Sequence, residues 1–220
     1  MERVIVFLFI SVALNGCATV NSMAVDKGTR TVDTAAKSIV LMTIDIFRSD
    51  NSRHVPIPIV VKLEKPNAQS NQDRQNFKLA KNTDAVEENG HTIYMARIAL
   101  EPGLYKLAEV SGQANAFPFY GTTFMVPLLL DLEVAPHSVT YIGRVTAELW
   151  PRQEGEFRAG SIIPLIEQSV AGISTGTWDI TVDDRSEKDI ALFRANYPAL
   201  ATIPINSNPL PSFDRAALQR

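Results

Sequence analysis

Between Val139 and Leu149 the chain alternates. Val139, Tyr141, Gly143, Val145, Ala147 and Leu149 fall on one side, and Thr140, Arg144, Thr146 and Glu148 on the other. A period of two is the signature of a pleated strand with one apolar face, because successive side chains point to opposite sides of a sheet. Three further segments repeat it. Val40, Met42, Ile44 and Ile46 alternate around Thr43 and Asp45, which predicts a half-buried strand. Ile59, Val61 and Leu63 alternate with Lys62 and Glu64; Trp178, Ile180 and Val182 alternate with Thr177, Asp179, Thr181 and Asp183. Four such segments make the body of the chain mainly β.

Turn residues separate these runs. Pro102 presets φ and Gly103 accepts positive φ, so Leu100–Leu104 predicts a type II turn closing a hairpin between Thr92–Leu100 and Leu104–Val110. Ala135-Pro136-His137 separates Leu128–Val134 from Val139–Trp150, and Pro151 stops that long strand. The polar stretch 66–90 reads as an inserted loop or a long hairpin. One helix is expected, over 186–197. Ser186 and Asp189 are spaced as a capping box, Ile190, Phe193 and Tyr197 form one apolar stripe, and Pro198 ends it. That stripe should close one side or one end of the sheet layers.

The N-terminus carries a second constraint. Val4–Leu14 is an uncharged apolar run of eleven residues behind Arg3. As a helix it would rise roughly 16 Å, about half a bilayer's hydrocarbon thickness, which suits an export signal and not a permanent span. Leu14-Asn15-Gly16-Cys17 follows at once and resembles the lipobox of bacterial lipoproteins. The resemblance implies removal of residues 1–16, diacylglycerol on the Cys17 thiol and a fatty acyl group such as palmitate on its amino group. With Ala18 next, it implies the outer membrane. More than one chain gives stable anchoring, at about 0.8 kcal/mol per buried CH₂. Residues 17–37 are polar and rich in small side chains, and read as a flexible tether.

Further motifs point the same way. The Leu100–Tyr105 turn (L-x-P-G-x-Y), the strand Val139–Gly143 (V-T-Y-I-G) and a helix ending Phe193–Pro198 (F-R-A-N-Y-P) resemble a set of uncharacterised bacterial outer-membrane lipoproteins. Those carry a small antiparallel β-sandwich similar to prealbumin-like and carboxypeptidase-regulatory-like domains. The resemblance covers roughly residues 38–200 and implies a fold and a compartment; it transfers no catalytic residue.

Composition excludes several chemistries. A net charge of −3 without a basic block argues against nucleic acid. The single cysteine makes no internal disulfide and, without a Cys/His cluster, no structural zinc site. Gly172-Ile173-Ser174-Thr175-Gly176 matches the serine-hydrolase string G-x-S-x-G, but that motif needs a helix after it, and Thr177–Asp183 alternates as a strand. His54, His91 and His137 all precede Ser174 and have no local ligand spacing; each is expected in a loop. Asp179, Asp183, Asp184 and Asp189 could offer oxygen ligands to calcium, yet they lack an EF-hand's loop glycine, and strand-face and capping roles account for each. No catalytic residue, metal or cofactor is therefore assigned.

Two stretches suit binding. Ala116–Tyr120, with Phe117, Phe119 and Tyr120, is the densest aromatic segment. It is either a buried strand or an apolar patch for a partner. The tail 201–220, with Pro204, Pro209 and Pro211, should run extended and either wrap the domain or dock on another protein. The expectation is a lipid-anchored envelope protein facing the periplasm, with a sandwich domain over 38–200, acting as a non-catalytic binding or assembly module for another envelope protein. The competing readings are an envelope hydrolase using Ser174 or converged Asp/His groups, and a binder of a small lipid or glycan.

Overall fold

Each alternating segment becomes a strand. The computed structural model describes residues 20–50, 52, 54–116, 119–162 and 172–219; Cys17 and Phe117 lie outside them. In chain order the elements are β1 (Val20–Asn21), β2 (Ser38–Phe47), β3 (Pro56–Glu64), β4 (Arg74–Lys78), α1 (Lys81–Asp84), β5 (Ala85–Glu88), β6 (His91–Leu100), β7 (Gly103–Ala116), β8 (Phe119–Val134), β9 (Val139–Pro151), β10 (Gly176–Asp183), α2 (Ser186–Asn196) and β11 (Asn206–Ser207). Sheet I runs β1-β4-β3-β7-β8. Sheet II runs β10-β9-β2-β6-β5, with β11 also on β9. The inward faces of both sheets build one core, in which Met42, Ile44, Val61, Leu107, Val110, Val126, Val145 and Trp178 are fully buried. Trp178 closes one side: its Nε1–H donates to Met125 O at 2.9 Å, and its ring meets Phe124 edge-on at 5.4 Å.

The path of the chain obeys one rule. Strands pair antiparallel with their chain neighbour (β3–β4, β5–β6, β7–β8, β9–β10), then the chain crosses to the other sheet. The turns at Pro102-Gly103 and at Ala135-Pro136-His137 are therefore crossings and not hairpins. β6 lies in sheet II and β7 in sheet I; β8 lies in sheet I and β9 in sheet II. Packed sheets stand about 10 Å apart, and three Cα steps of about 3.8 Å from Leu100 to Gly103 span that gap. Asn89-Gly90 is a true hairpin turn. Both residues have positive φ, 51° and 84°, as a two-residue type I′ connection requires. The stretch 66–90 is thus no simple insertion: it supplies β4, between β1 and β3, to sheet I and edge strand β5 to sheet II.

Sheet II is mixed, not purely antiparallel. β2 pairs antiparallel with β6 but parallel with β9, and β11 runs parallel to β9. Nor is β2 half-buried, since every residue from Ser38 to Ile46 is buried, Thr43 and Asp45 included. The cause is a third layer on the outer face of sheet II. There Ile39, Leu41, Met95, Val139 and Tyr141 pack against Phe193 of α2 and Tyr197 at its C-terminal cap, with Leu200 and Val25. Phe193 and Tyr197 are fully buried, each stabilising the layer by on the order of 2 kcal/mol. The expected stripe of α2 does cover a sheet face. The single turn α1, at the crossing between β4 and β5, is a helix additional to the one expected.

Both terminal segments are fixed to this body. β1 pairs with Asn76 and Phe77, Ala24 N–H donates to Arg97 O at 2.8 Å, and Val25 is buried, so residues 20–37 are not a free tether. The tail wraps the domain. β11 takes up ladder positions on Thr140 and Tyr141 beyond the end of β10, Leu210 N–H donates to Ile142 O at 2.9 Å, and Leu210 is buried. Pro204 and Pro211 are exposed along the way, while Pro209 is half-buried near Gly143.

Candidate functional site

Charged residues gather on the outer face of sheet II beneath α2. β2 presents Thr43 and Asp45 there, and β9 presents Tyr141 and Arg144. The bulge between Leu41 and Thr43 in the β2–β9 ladder, where Gly143 has φ 113°, puts Tyr141 and Arg144 on the same side. From α2 comes Asp189, fully buried. Its carboxylate accepts hydrogen bonds from Tyr141 OH at 2.6 Å, from Arg144 Nε at 3.1 Å, and at close range from Arg144 Nη2 and Thr43 Oγ1. Asp189 is therefore the anchor of α2 on the sheet and not part of a capping box. The helix N-terminus is served by Asp184, whose Oδ1 accepts from Ser186 N–H at 2.9 Å.

The cluster reaches the surface through acids and bases at its rim. Glu88 lies 3.1 Å from Arg144 Nη1 and 3.0 Å from Lys188 Nζ. Burial pushes its carboxyl up, but the hydrogen bonds from Lys188 and Arg144 outweigh that and hold it below the usual range. Tyr141 is pushed far up by burial and by the neighbouring Asp189. Beside it, His91 Nδ1 sits 3.0 Å from Asp45 Oδ2, and the His91 ring meets Phe47 edge-on at 4.4 Å. Burial raises the Asp45 pKa, and the hydrogen bond to His91 only partly offsets it. His91 is thus the first residue of β6 and not a loop residue.

A second buried cation secures the N-terminal segment. Arg97, 1% exposed, donates from Nε to Val25 O at 2.5 Å and from Nη2 to Asp84 Oδ1 at 2.6 Å. From Nη1 it donates to Tyr197 OH at 2.6 Å and at close range to Met95 O. Its guanidinium also stacks 4.0 Å over the Tyr197 ring. Burial lifts the Tyr197 hydroxyl pKa to about 12. Four segments distant in sequence (the 20s, α1, β6 and the C-terminal cap of α2) meet on this one side chain. Chemically, both clusters are cross-braces: every buried charge in them faces an opposite charge or a hydrogen-bond partner.

The other expected residues are dispersed. Ser174 is fully buried, and β10 follows it directly, so the strand-turn-helix context of a nucleophile elbow is missing. His54 packs against Gly172 in the neighbouring loop. Burial, then Arg48, lowers its pKa. His137 is exposed at the crossing between β8 and β9, with Nδ1 3.1 Å from Thr34 O. Asp179 and Asp183 lie beside Arg215 and Arg185, so the four aspartates do not converge. Among the described residues no group of three or more His, Cys, Asp or Glu is placed to hold a metal ion. Phe119 and Tyr120 begin β8; Phe124 behind them is buried in the core, whereas Met125 is 42% exposed.

Among the described residues, sheet I differs from sheet II in having no third layer. Its outer face holds an open cleft of about 490 Å³, lined by Lys62, Glu109, Ser111, Thr123, Met125 and Arg158. Lys62 and Glu109 form an ion pair across β3 and β7. The segment 158–161 forms the cleft's rim by pairing with the edge of β8: Met125 N–H donates to Ala159 O at 2.9 Å and Ser161 N–H to Thr123 O at 3.3 Å. Nothing in the sequence marked this cleft, because its residues come from three strands and a loop that only the two-sheet topology assembles. No family model matches the chain, and a match was found neither among curated proteins nor among solved structures.

Proposed function

We propose that this chain is a lipid-anchored protein of the bacterial envelope whose sandwich domain binds another envelope protein without catalysing a reaction, as the resemblance to outer-membrane lipoproteins implies. The observation that carries the binding reading is the unequal covering of the two sheets. Sheet II is roofed by α2, the tail and the N-terminal segment, and the conspicuous charged clusters there are spent on holding the roof. Among the described residues, nothing covers the outer face of sheet I or the Lys62–Arg158 cleft. Ion-paired and hydroxyl groups in an open groove suit a polar partner surface better than an enclosed small molecule. The anchor reading rests on the apolar run Val4–Leu14 followed by Leu14-Asn15-Gly16-Cys17.

A photo-crosslinking residue placed at Ser111, expressed at native level, should yield a defined covalent adduct in envelope fractions. The same probe at Glu187 on the solvent face of α2 should not. No adduct at Ser111, or equal adducts at both positions, would sink the binding reading. For the anchor, Cys17→Ser should move the protein from the membrane pellet to the soluble fraction.

A further inference from the structure

The two terminal segments are pinned so closely that the anchor, if present as proposed above, has almost no slack. Residues 20–37 pack on the domain from Val20 onward. β1 is hydrogen-bonded along β4, Met23 packs against the core, Val25 is buried and Arg97 clamps its carbonyl. Only Ala18 and Thr19 separate Cys17 from Val20. Three Cα steps reach at most about 11 Å. We infer that the β1–β4 edge of sheet I is seated directly on the phospholipid surface, holding the domain in one orientation. This rests on Cys17 being lipidated.

Position and chemistry agree on this edge. β1 runs parallel to β4, with Val20 opposite Asn76, so the chain enters from the Arg74 end of the edge. Val20 is 62% exposed there, an apolar side chain facing outward beside the anchor. Lys27, Lys65, Arg74 and Lys78 are exposed around it. Lys27 and Lys78 line an open cleft of about 490 Å³ together with Asp26 and Asp84. The carboxylates Glu64, Asp73 and Asp26 lie among these cations. Two of them are turned to local backbone: Asp73 accepts from Ser70 N–H at 3.0 Å, and Asp26 accepts from Gly28 N–H at 2.8 Å. The charge excess is small, so the short leash and not electrostatic attraction carries the inference. β8 lies four strand spacings from β1 in sheet I, about 19 Å at the usual separation. The cleft accordingly begins on β3, about 10 Å from β1, and its far wall on β8 is the part held farthest from the bilayer.

The test uses the mature protein purified from membranes and reconstituted in vesicles of phosphatidylethanolamine and phosphatidylglycerol, with hydrogen exchange compared against soluble Cys17→Ser protein. Amides in 20–28 and 65–74 should exchange about tenfold more slowly on vesicles, while those in 129–134 stay unchanged. Inserting about twenty Gly/Ser residues after Thr19, worth roughly 25 Å of average reach, should abolish that protection without releasing the protein. The N-terminal peptide of the same digest reports its acyl mass. Acylated protein without protection at 20–28 and 65–74, or with protection at 129–134 instead, overturns the orientation and leaves the anchor standing. An unmodified Cys17 overturns the anchor and the orientation together.

Discussion

Replacing Asp189 by alanine removes the one carboxylate that Arg144, Tyr141 and Thr43 share beneath α2. Asp189 is fully buried and the Arg144 side chain 8% exposed, so solvent screens the pair little. Losing one partner of a buried pair costs about 3–5 kcal/mol, because the remaining charge keeps its desolvation penalty without its counter-charge. Glu88, 3.1 Å from Arg144 Nη1, retains part of the compensation and moves the expectation to the lower end, about 3 kcal/mol. With a urea slope of about 2 kcal/mol/M, the unfolding midpoint should fall by about 1.5 M. The measurement is equilibrium urea unfolding of the Cys17→Ser chain followed by far-UV circular dichroism. The double variant Asp189→Leu with Arg144→Met removes both charges and should recover at least half of the loss. A midpoint shift corresponding to less than about 1 kcal/mol, or a double variant worse than the single, would refute the assignment of Asp189 as the anchor of the helix.

Three further outcomes follow from other parts of the fold. Arg97→Ala leaves Asp84 buried without its cation and unclamps Val25; it should cost about 3–5 kcal/mol and make residues 22–28 more susceptible to limited proteolysis than in the parent chain. Gly112→Ala would put a methyl group 2.1 Å from Ile57 O, so the β3–β7 ladder must spread, at about 1–3 kcal/mol or more in thermal unfolding. Asp45 has its carboxyl pKa raised by burial, so the folded state holds that proton more tightly than the unfolded chain. Relative to Asp45→Asn, the wild type should therefore lose stability as pH rises through the Asp45 pKa, above the ordinary carboxylate range. Unfolding midpoints of the two proteins across a pH series check the sign.

The strands were legible because alternation is local: Trp178–Val182 announces its apolar face within a few residues. Val139–Leu149 announced a strand but not one face, since the irregularity at Gly143 turns Val139 and Tyr141 outward and Val145 and Ala147 into the core. What joins them was not. Pro102-Gly103 has the chemistry of a tight turn whether the next strand returns beside its predecessor or steps to the facing sheet, and only the partner at long range decides. Asn89-Gly90, the strongest short hairpin signal in the chain, was there to be read and would have placed β5. Thr43, Asp45 and Asp189 read as solvent-facing by their polarity. Their burial depends on α2 folding back over sheet II from more than a hundred residues away, which no local pattern encodes. The candidate cleft was invisible for the same reason.

The parallel seam at the centre of sheet II carries a cost in time. Ile39 finds its place beside Val139, a hundred positions further on, and β2 cannot be flanked on both sides until most of the polypeptide has emerged. Contacts so distant along the chain close slowly, since the loop entropy must be spent before the pairing rewards it. Until then a nearly continuous apolar ribbon from Ile39 to Ile46 stands open to self-association. A sequence built this way completes its central sheet only once its last strands are available, so its folding rate is set by the longest of these closures.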